Sequence, residues 1–171
     1  MPRLLRPDLR LERIVDLSPA ELAATGIEGL IVDLDNTLAR PNQAFADRAV
    51  RRWFDAVRAA GLKIVILSNN FPPRVEAFAS SVHAPFLAKA KKPWMRSFRR
   101  ALAMMGVPAA RACVVGDQLF TDVLGGNLVG CHTVLVSPLG PGEFIGTRLV
   151  RRVERLVLPR IAAEERQGRP G

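Results

Sequence analysis

The chain has 171 residues, 49% of them hydrophobic, with 25 basic and 16 acidic side chains and a formal charge of +9. That length suits one domain with a real core and not two, and so apolar a composition excludes intrinsic disorder. Two cysteines are too few for a disulfide scaffold and fit a reducing compartment; no apolar run reaches the length of a membrane span, and arginines break up the leucines of the first thirteen residues, so no signal-peptide core is expected.

Residues 1–25 read as a basic segment, with Arg3, Arg6, Arg10 and Arg13 among leucines. Gly29 to Val32 is a short apolar run ending in acids and predicts a buried strand. Phe45, Ala49, Trp53, Phe54 and Val57 recur at helical spacing, which predicts a helix from Phe45 to Ala60, stopped by Gly61. Leu62 to Leu67 (LKIVIL) is rich in β-branched residues and predicts a second strand, ending at Ser68-Asn69-Asn70. Pro73 to Ser80 reads as a short helix with proline near its start. Pro93 to Met105 reads as another, closed by Gly106 and Pro108. Arg111 to Val115 predicts a third strand, Leu119 to Val129 a helix, and Cys131 to Val136 a fourth strand.

This alternation predicts an α/β fold, a three-layer doubly wound parallel sheet with helices on both faces. Ligands bind such sheets at the carboxyl ends of the strands, where this chain places its polar residues. Trp53 and Trp94 are expected on helix-packing faces. Cys113, Cys131 and His132 are expected in core strands, and His83 at a helix end. Residues 26–160 form the expected domain, and 161–171 are expected to be a disordered tail.

The chain contains eight Asp, four of them in two short motifs. The first is Asp33-Leu34-Asp35-Asn36-Thr37. Extended backbone alternates its side chains, so Asp33 and Asp35 can share one side. Two carboxylates that close repel unless one protonates or a cation lies between them, and Mg²⁺ fits that need. Asp and Asn also suit an ordinary strand-ending turn. The second motif runs from Gly116-Asp117 to Thr121-Asp122. Asp117 ends a strand, whereas Asp122 could simply be an acid favoured by a helix start.

Ser68 closes its strand where its hydroxyl and the amides of Asn69 and Asn70 could hold a phosphate oxygen, although Ser-Asn-Asn is also common turn composition. The basic side chains comprise 21 Arg and four Lys, and three of those lysines, Lys89, Lys91 and Lys92, fall within four residues. Lys92 precedes Pro93 at an expected helix start, a place that favours anions, or else belongs to a solvated basic run.

In order and spacing, Asp33/Asp35, Ser68, Lys92 and Asp117/Asp122 resemble the haloacid dehalogenase (HAD) superfamily of phosphotransferases. The segments DLDNTL, ILSNN, the Lys-Pro pair, GDQLFTDVLGGN and RRVER, spanning Gly26 to Leu156, narrow the resemblance to its subfamily IIIA, YqeG-type class. The resemblance implies a HAD-like Rossmannoid fold and a phosphatase working through an aspartyl-phosphate. Asp33 would be the nucleophile and Asp35 the general acid and then base. Mg²⁺ would be held by the Asp33 and Asp117 side chains and the Asp35 backbone carbonyl. Ser68, Asn69 and Lys92 would bind phosphoryl oxygens. Thr37 would stabilise the loop, and Asp122 would support the ion or orient Lys92.

Thirty residues separate Thr37 from Ser68 and 23 separate Ser68 from Lys92, too few for a sizeable cap domain. An open site suits a large or membrane-borne substrate. Eukaryotic relatives of the class include a mitochondrial phosphatidylglycerophosphate phosphatase, so the resemblance implies a lipid phosphate as one candidate substrate. The arginines of residues 1–13 and of Gly146 to Arg160 could meet an anionic membrane, or the latter segment could be an ordinary packed final helix. A cytoplasmic protein, peripheral at the inner face of the membrane, is the expected setting. The alternatives are a phosphatase of soluble esters or phosphoproteins, and a non-catalytic nucleic-acid-binding or adaptor protein on the same scaffold. Nucleic acid is not the expected partner.

Overall fold

A computed structural model describes residues 3–140, which build one six-stranded, all-parallel sheet. The elements are β1 (Leu9–Leu11), α1 (Pro19–Ala24), β2 (Gly29–Val32), α2 (Arg48–Ala59), β3 (Lys63–Leu67), α3 (Pro72–Ser81), β4 (Phe86–Leu87), α4 (Met95–Met105), β5 (Ala112–Gly116), α5 (Leu124–Val129) and β6 (His132–Val136). The Gly146 to Arg160 segment and the tail from 161 lie outside the described residues.

The strand order is β1-β6-β5-β2-β3-β4. From β2 the chain winds outward through β3 to β4, then crosses back through α4 to β5 on the other side. The winding therefore reverses between β2 and β5, the point where doubly wound sheets open a crevice for ligands. The intervals expected to be too short for a cap contain α2 and β3 in the first and α3 and β4 in the second.

Strand alternation divides the core between the two faces. Leu30 and Val32 of β2, Ile64 and Ile66 of β3 and Val115 of β5 pack with Trp53, Phe54 and Val57 of α2 and Phe78 of α3. Ile31, Val65 and Val114 point the other way, onto Phe98, Leu102 and Met105 of α4. Phe54, Phe78 and Phe98 are fully buried, each stabilising the fold by about 1.5–3 kcal/mol. Gly125 opens α5 to Phe98, whose ring would lie 2.2 Å from an added Cβ.

The structure departs from the predicted elements at their ends. The helix expected from Phe45 begins at Arg48, because the Asp47 side chain accepts from Val50 N–H at 2.8 Å and caps it. Phe45 is left outside the helix and exposed. The helix expected from Pro93 begins at Met95, after a turn in which Trp94 N–H donates to Lys91 O. Trp94 is thus half-exposed instead of packed, while Trp53 is buried and donates its indole N–H to Leu17 O at 2.8 Å. The helix expected from Leu119 opens with one π-helical turn, Leu119–Val123. His132 starts β6 but points to solvent. The basic N-terminal segment supplies β1 and α1, with Thr133 N–H donating to Asp8 Oδ2 at 2.8 Å beside the β1–β6 edge.

Candidate active site

The site residues converge because β2, β3 and β5 end side by side. Asp33 continues the β2–β5 ladder by donating its N–H to Val115 O at 2.9 Å, which sets its carboxylate at the crevice. Lys92 Nζ donates to Asp33 Oδ1 and, at 2.6 Å, to Asp122 Oδ1. All three side chains are almost completely buried. Asp122 Oδ2 in turn accepts from the Gln118 N–H at 3.2 Å. Gly116 makes this possible: a Cβ there would lie 2.2 Å from the Asp122 carboxyl carbon.

Lys92 is not placed by a helix start, which lies three residues on. Asn69 clamps its backbone instead, accepting the Lys92 N–H on Oδ1 at 2.7 Å and donating from Nδ2 to its carbonyl at 3.4 Å. The Asn69 side chain therefore acts on Lys92, while its backbone N–H donates to no protein acceptor among the described residues. Buried Ser68 accepts the Asn70 N–H on Oγ at 3.0 Å, which leaves its hydroxyl proton for another acceptor.

Asp35 stands apart from the buried cluster. Its Oδ1 accepts from Arg74 Nη2 at 3.0 Å and its Oδ2 from Asn70 Nδ2 at 3.1 Å. Arg74 also donates to the carbonyls of Arg40 and Gln43, tying the loop after β2 to α3. Sequence reasoning did not single out Arg74 or the Asn70 side chain. The available signal was only that Arg74 is the one Arg or Lys from 64 to 88.

Asp33, Asp117 and Asp122 each offer a carboxylate oxygen within 4.8 Å of the others. Burial, with repulsion from Asp122 and Asp117, pushes Asp33 up to about 8 against the pull of Lys92. Burial and then Asp122 push Asp117 up to about 7. The two carboxylates around Lys92 outweigh its own burial and raise its pKa, so it stays an ammonium. One ammonium among three carboxylates leaves two negative charges uncompensated when all are ionised.

A divalent cation fits this arrangement, and two further observations support it. Asp117 Oδ1 is buried without a hydrogen-bond partner; the Thr37 hydroxyl nearby eases its charge but, equally buried, does not reach bonding geometry. The Asp35 carbonyl also accepts no hydrogen bond among the described residues. Asp33, Asp117 and the Asp35 carbonyl thus remain the expected ligands, and the geometry adds the Asp122 carboxylate.

A pH dependence follows. Folded-state values raised above the unfolded carboxylate value mean that the folded chain holds more protons between about pH 4 and pH 8. Without divalent cation, stability should therefore fall as pH rises through that window. Because the cation displaces those protons, Mg²⁺ should raise the melting temperature more at pH 8 than at pH 6. At about 100 times its dissociation constant it contributes about 2.7 kcal/mol, an increase of about 5–10 °C. Thermal melts in chelator and in Mg²⁺ at the two pH values check this.

Comparison with known proteins agrees with the geometry. A family model described as "HAD-hyrolase-like" matches residues 89–138. Probable phosphatase YqeG of Bacillus subtilis (strain 168) is 38% identical over 158 residues, covering 92% of this chain and 92% of its own. The chain belongs to the YqeG-type HAD phosphatases. Another relative within reach of this YqeG-type chain is phosphatidylglycerophosphate phosphatase 1, chloroplastic, of Chlamydomonas reinhardtii. It is 33% identical over 173 residues, which take in 94% of this chain but 61% of that protein. A HAD family hydrolase from Streptomyces avermitilis MA-4680 shares the fold, with a TM-score of 0.56 at 21% identity over 76% of this chain and 79% of its own.

Proposed function

We propose that this YqeG-type phosphatase is a Mg²⁺-dependent phosphomonoester hydrolase that acts on phosphatidylglycerophosphate or a similar lipid phosphate through an aspartyl-phosphate on Asp33. The observation that carries the reading is the buried Asp33–Lys92–Asp122 chain beside Asp117 at the β2/β5 crevice. An ammonium has three protons, and Lys92 commits two of them to carboxylates, which leaves the third for a phosphoryl oxygen. The Ser68 hydroxyl proton and the Asn69 N–H are the other donors on offer.

The Asp33 carboxylate attacks phosphorus; its oxygen–phosphorus bond forms as the ester bond breaks, and Asp35 delivers a proton to the departing alkoxide. Water then attacks the phosphoryl group, Asp35 takes its proton, and phosphate leaves with Asp33 restored. Arg74 and Asn70 hold Asp35 on the loop while it waits. Mg²⁺ held by Asp33, Asp117 and the Asp35 carbonyl, with Asp122 in support, would neutralise charge on the transferring group.

The lipid substrate rests on the resemblance to phosphatidylglycerophosphate phosphatase and on the capless crevice. Work at the cytoplasmic face of the membrane goes with it, and no described helix is long and apolar enough to cross one. Mg²⁺-dependent turnover of phosphatidylglycerophosphate in detergent micelles, against a soluble phosphate ester at equal concentration, tests the reading. Preference for the lipid is the expected result. Equal or better turnover of the soluble ester would replace it with a soluble-ester phosphatase.

A further inference from the structure

Two loops at the carboxyl ends of the strands carry the phosphate-side residues, one holding Ser68 to Phe71 and the other Ala88 to Trp94. They run side by side, with Lys89 N–H donating to Asn70 O at 2.9 Å and Ala90 N–H to Ser68 O at 3.0 Å. Ala90 and Lys92 face inward and are buried. The side chains that face outward from the same loops have a different character. Phe71 is 66% exposed and Trp94 41% exposed, among the few large apolar side chains that the fold leaves in solvent. Lys89 and Lys91 are exposed beside them, and Lys89 Nζ sits over the Phe71 ring, 5.1 Å from its centroid.

These lysines are two of four non-glycine residues with positive φ among the described residues, the others being Asn36 and His83. Lys89 (φ +49) and Lys91 (φ +56) both adopt the left-handed conformation, which disfavours any residue with a Cβ and is ordinarily given to glycine or asparagine. Folding alone would be better served by glycine at either position. In a chain with four lysines and 21 arginines, two strained lysines at the rim of the crevice call for a role in what their ammonium groups meet. No acidic residue occurs between Glu76 and Asp117, so an anion from outside the chain would meet them without local competition.

We infer that Phe71, Trp94, Lys89 and Lys91 form the surface on which the crevice docks onto an anionic lipid bilayer. The inference rests on the lipid-phosphate reading above and adds the surface that would deliver the site to its substrate. Aromatic rings seat at the headgroup level, and lysines beside them lay their stems along the apolar boundary while their charges meet lipid phosphates. An acidic protein would satisfy the lysines but gives no reason for two exposed aromatic rings next to a phosphate pocket. With Asp33 recessed at 7% exposure, contact between these loops and the bilayer lets a headgroup phosphate enter without extraction of the lipid.

The full chain should co-sediment with phosphatidylcholine vesicles that contain phosphatidylglycerol and not with phosphatidylcholine alone. The double variant Lys89→Gly/Lys91→Gly suits the left-handed backbone, so it should melt no lower than the parent. It should hydrolyse a soluble ester at the parent's rate and partition onto the anionic vesicles about thirtyfold less. Trp53 is buried, so a blue shift of tryptophan emission on vesicle addition would report Trp94, and Trp94→Phe should abolish it. Equal partition of the double variant and the parent, or no preference of the parent for anionic vesicles, overturns the inference. Micellar turnover of phosphatidylglycerophosphate reports the substrate reading separately, so turnover without vesicle binding overturns the docking surface alone.

Discussion

Asp33→Asn should lower Mg²⁺-dependent phosphate release by about 10⁴-fold or more while leaving the fold in place. An amide cannot form the acyl-phosphate bond, and losses of that order follow removal of a nucleophile from an otherwise intact site. The fold should survive because Asn preserves the shape of the side chain and can still accept from Lys92 Nζ, which keeps its contact with Asp122. Burial already opposes the Asp33 charge strongly enough to carry its pKa to about 8, so a neutral side chain there removes an electrostatic burden. In chelator above pH 8 the variant should therefore melt at or above the parent temperature. Phosphate release and thermal melts on the same preparation check both halves, and retained turnover would remove Asp33 from the nucleophile's role.

Lys92→Met should have the largest effect on stability. The substitution keeps the volume of the stem and deletes the one charge between Asp33 and Asp122, which leaves two buried carboxylates facing each other. Breaking a buried ion pair by removing one partner costs about 3–5 kcal/mol, a drop of about 10 °C in melting temperature for a chain of this size. The cost has a definite pH sign. With Lys92 gone, the carboxyl groups lose the cation that favours their ionised form, so the penalty should be greatest above pH 8, where Asp33 ionises in the parent. It should shrink towards pH 6, where Asp33 holds its proton in parent and variant alike. A uniform loss across that range would point to packing instead of charge. Turnover should fall with stability, because the same ammonium is the proposed hydrogen-bond donor to a phosphoryl oxygen.

The strands that carry the chemistry were the legible part of this fold. Gly29–Val32, residues 64–67 and Ala112–Gly116 are buried on both faces, so each reads as a continuous apolar run that a polar residue ends abruptly. That ending is where Asp33, Ser68 and Asp117 lie. The edges of the sheet were not legible. β4 is two residues long and β1 is the three-residue Leu9-Arg10-Leu11, too short to show a period. Helix starts moved because side chains and turns override apolar spacing: Asp47 caps α2 past Phe45, and the turn through Trp94 delays α4.

Within the candidate site, residue types could be read but not their partners. Asn69 reads as an amide able to donate to a phosphate oxygen, and nothing local shows that its side chain binds the backbone of a residue 23 positions away. Arg74 reaches Asp35 across 39 positions, and no local pattern encodes such a contact. The same holds for Gly116, whose missing side chain reads as a sharp strand exit and whose larger effect is the space it leaves for Asp122.

The placement of Asp33 and Asp117 on adjacent strands bears on how the molecule assembles. β2 and β5 are neighbours in the sheet but more than eighty residues apart along the chain. The acidic triad therefore comes into being only when that long loop closes, after the more local β2–β3 pairing is available at lower entropic cost. A nascent chain ending before residue 117 lacks two of the three carboxylates, those of Asp117 and Asp122. A cation bound to Asp33 and Asp117 would act as a clasp across the seam between the sheet's two halves. Cation affinity would then report completion of the β2–β5 seam during refolding, before any turnover can be measured.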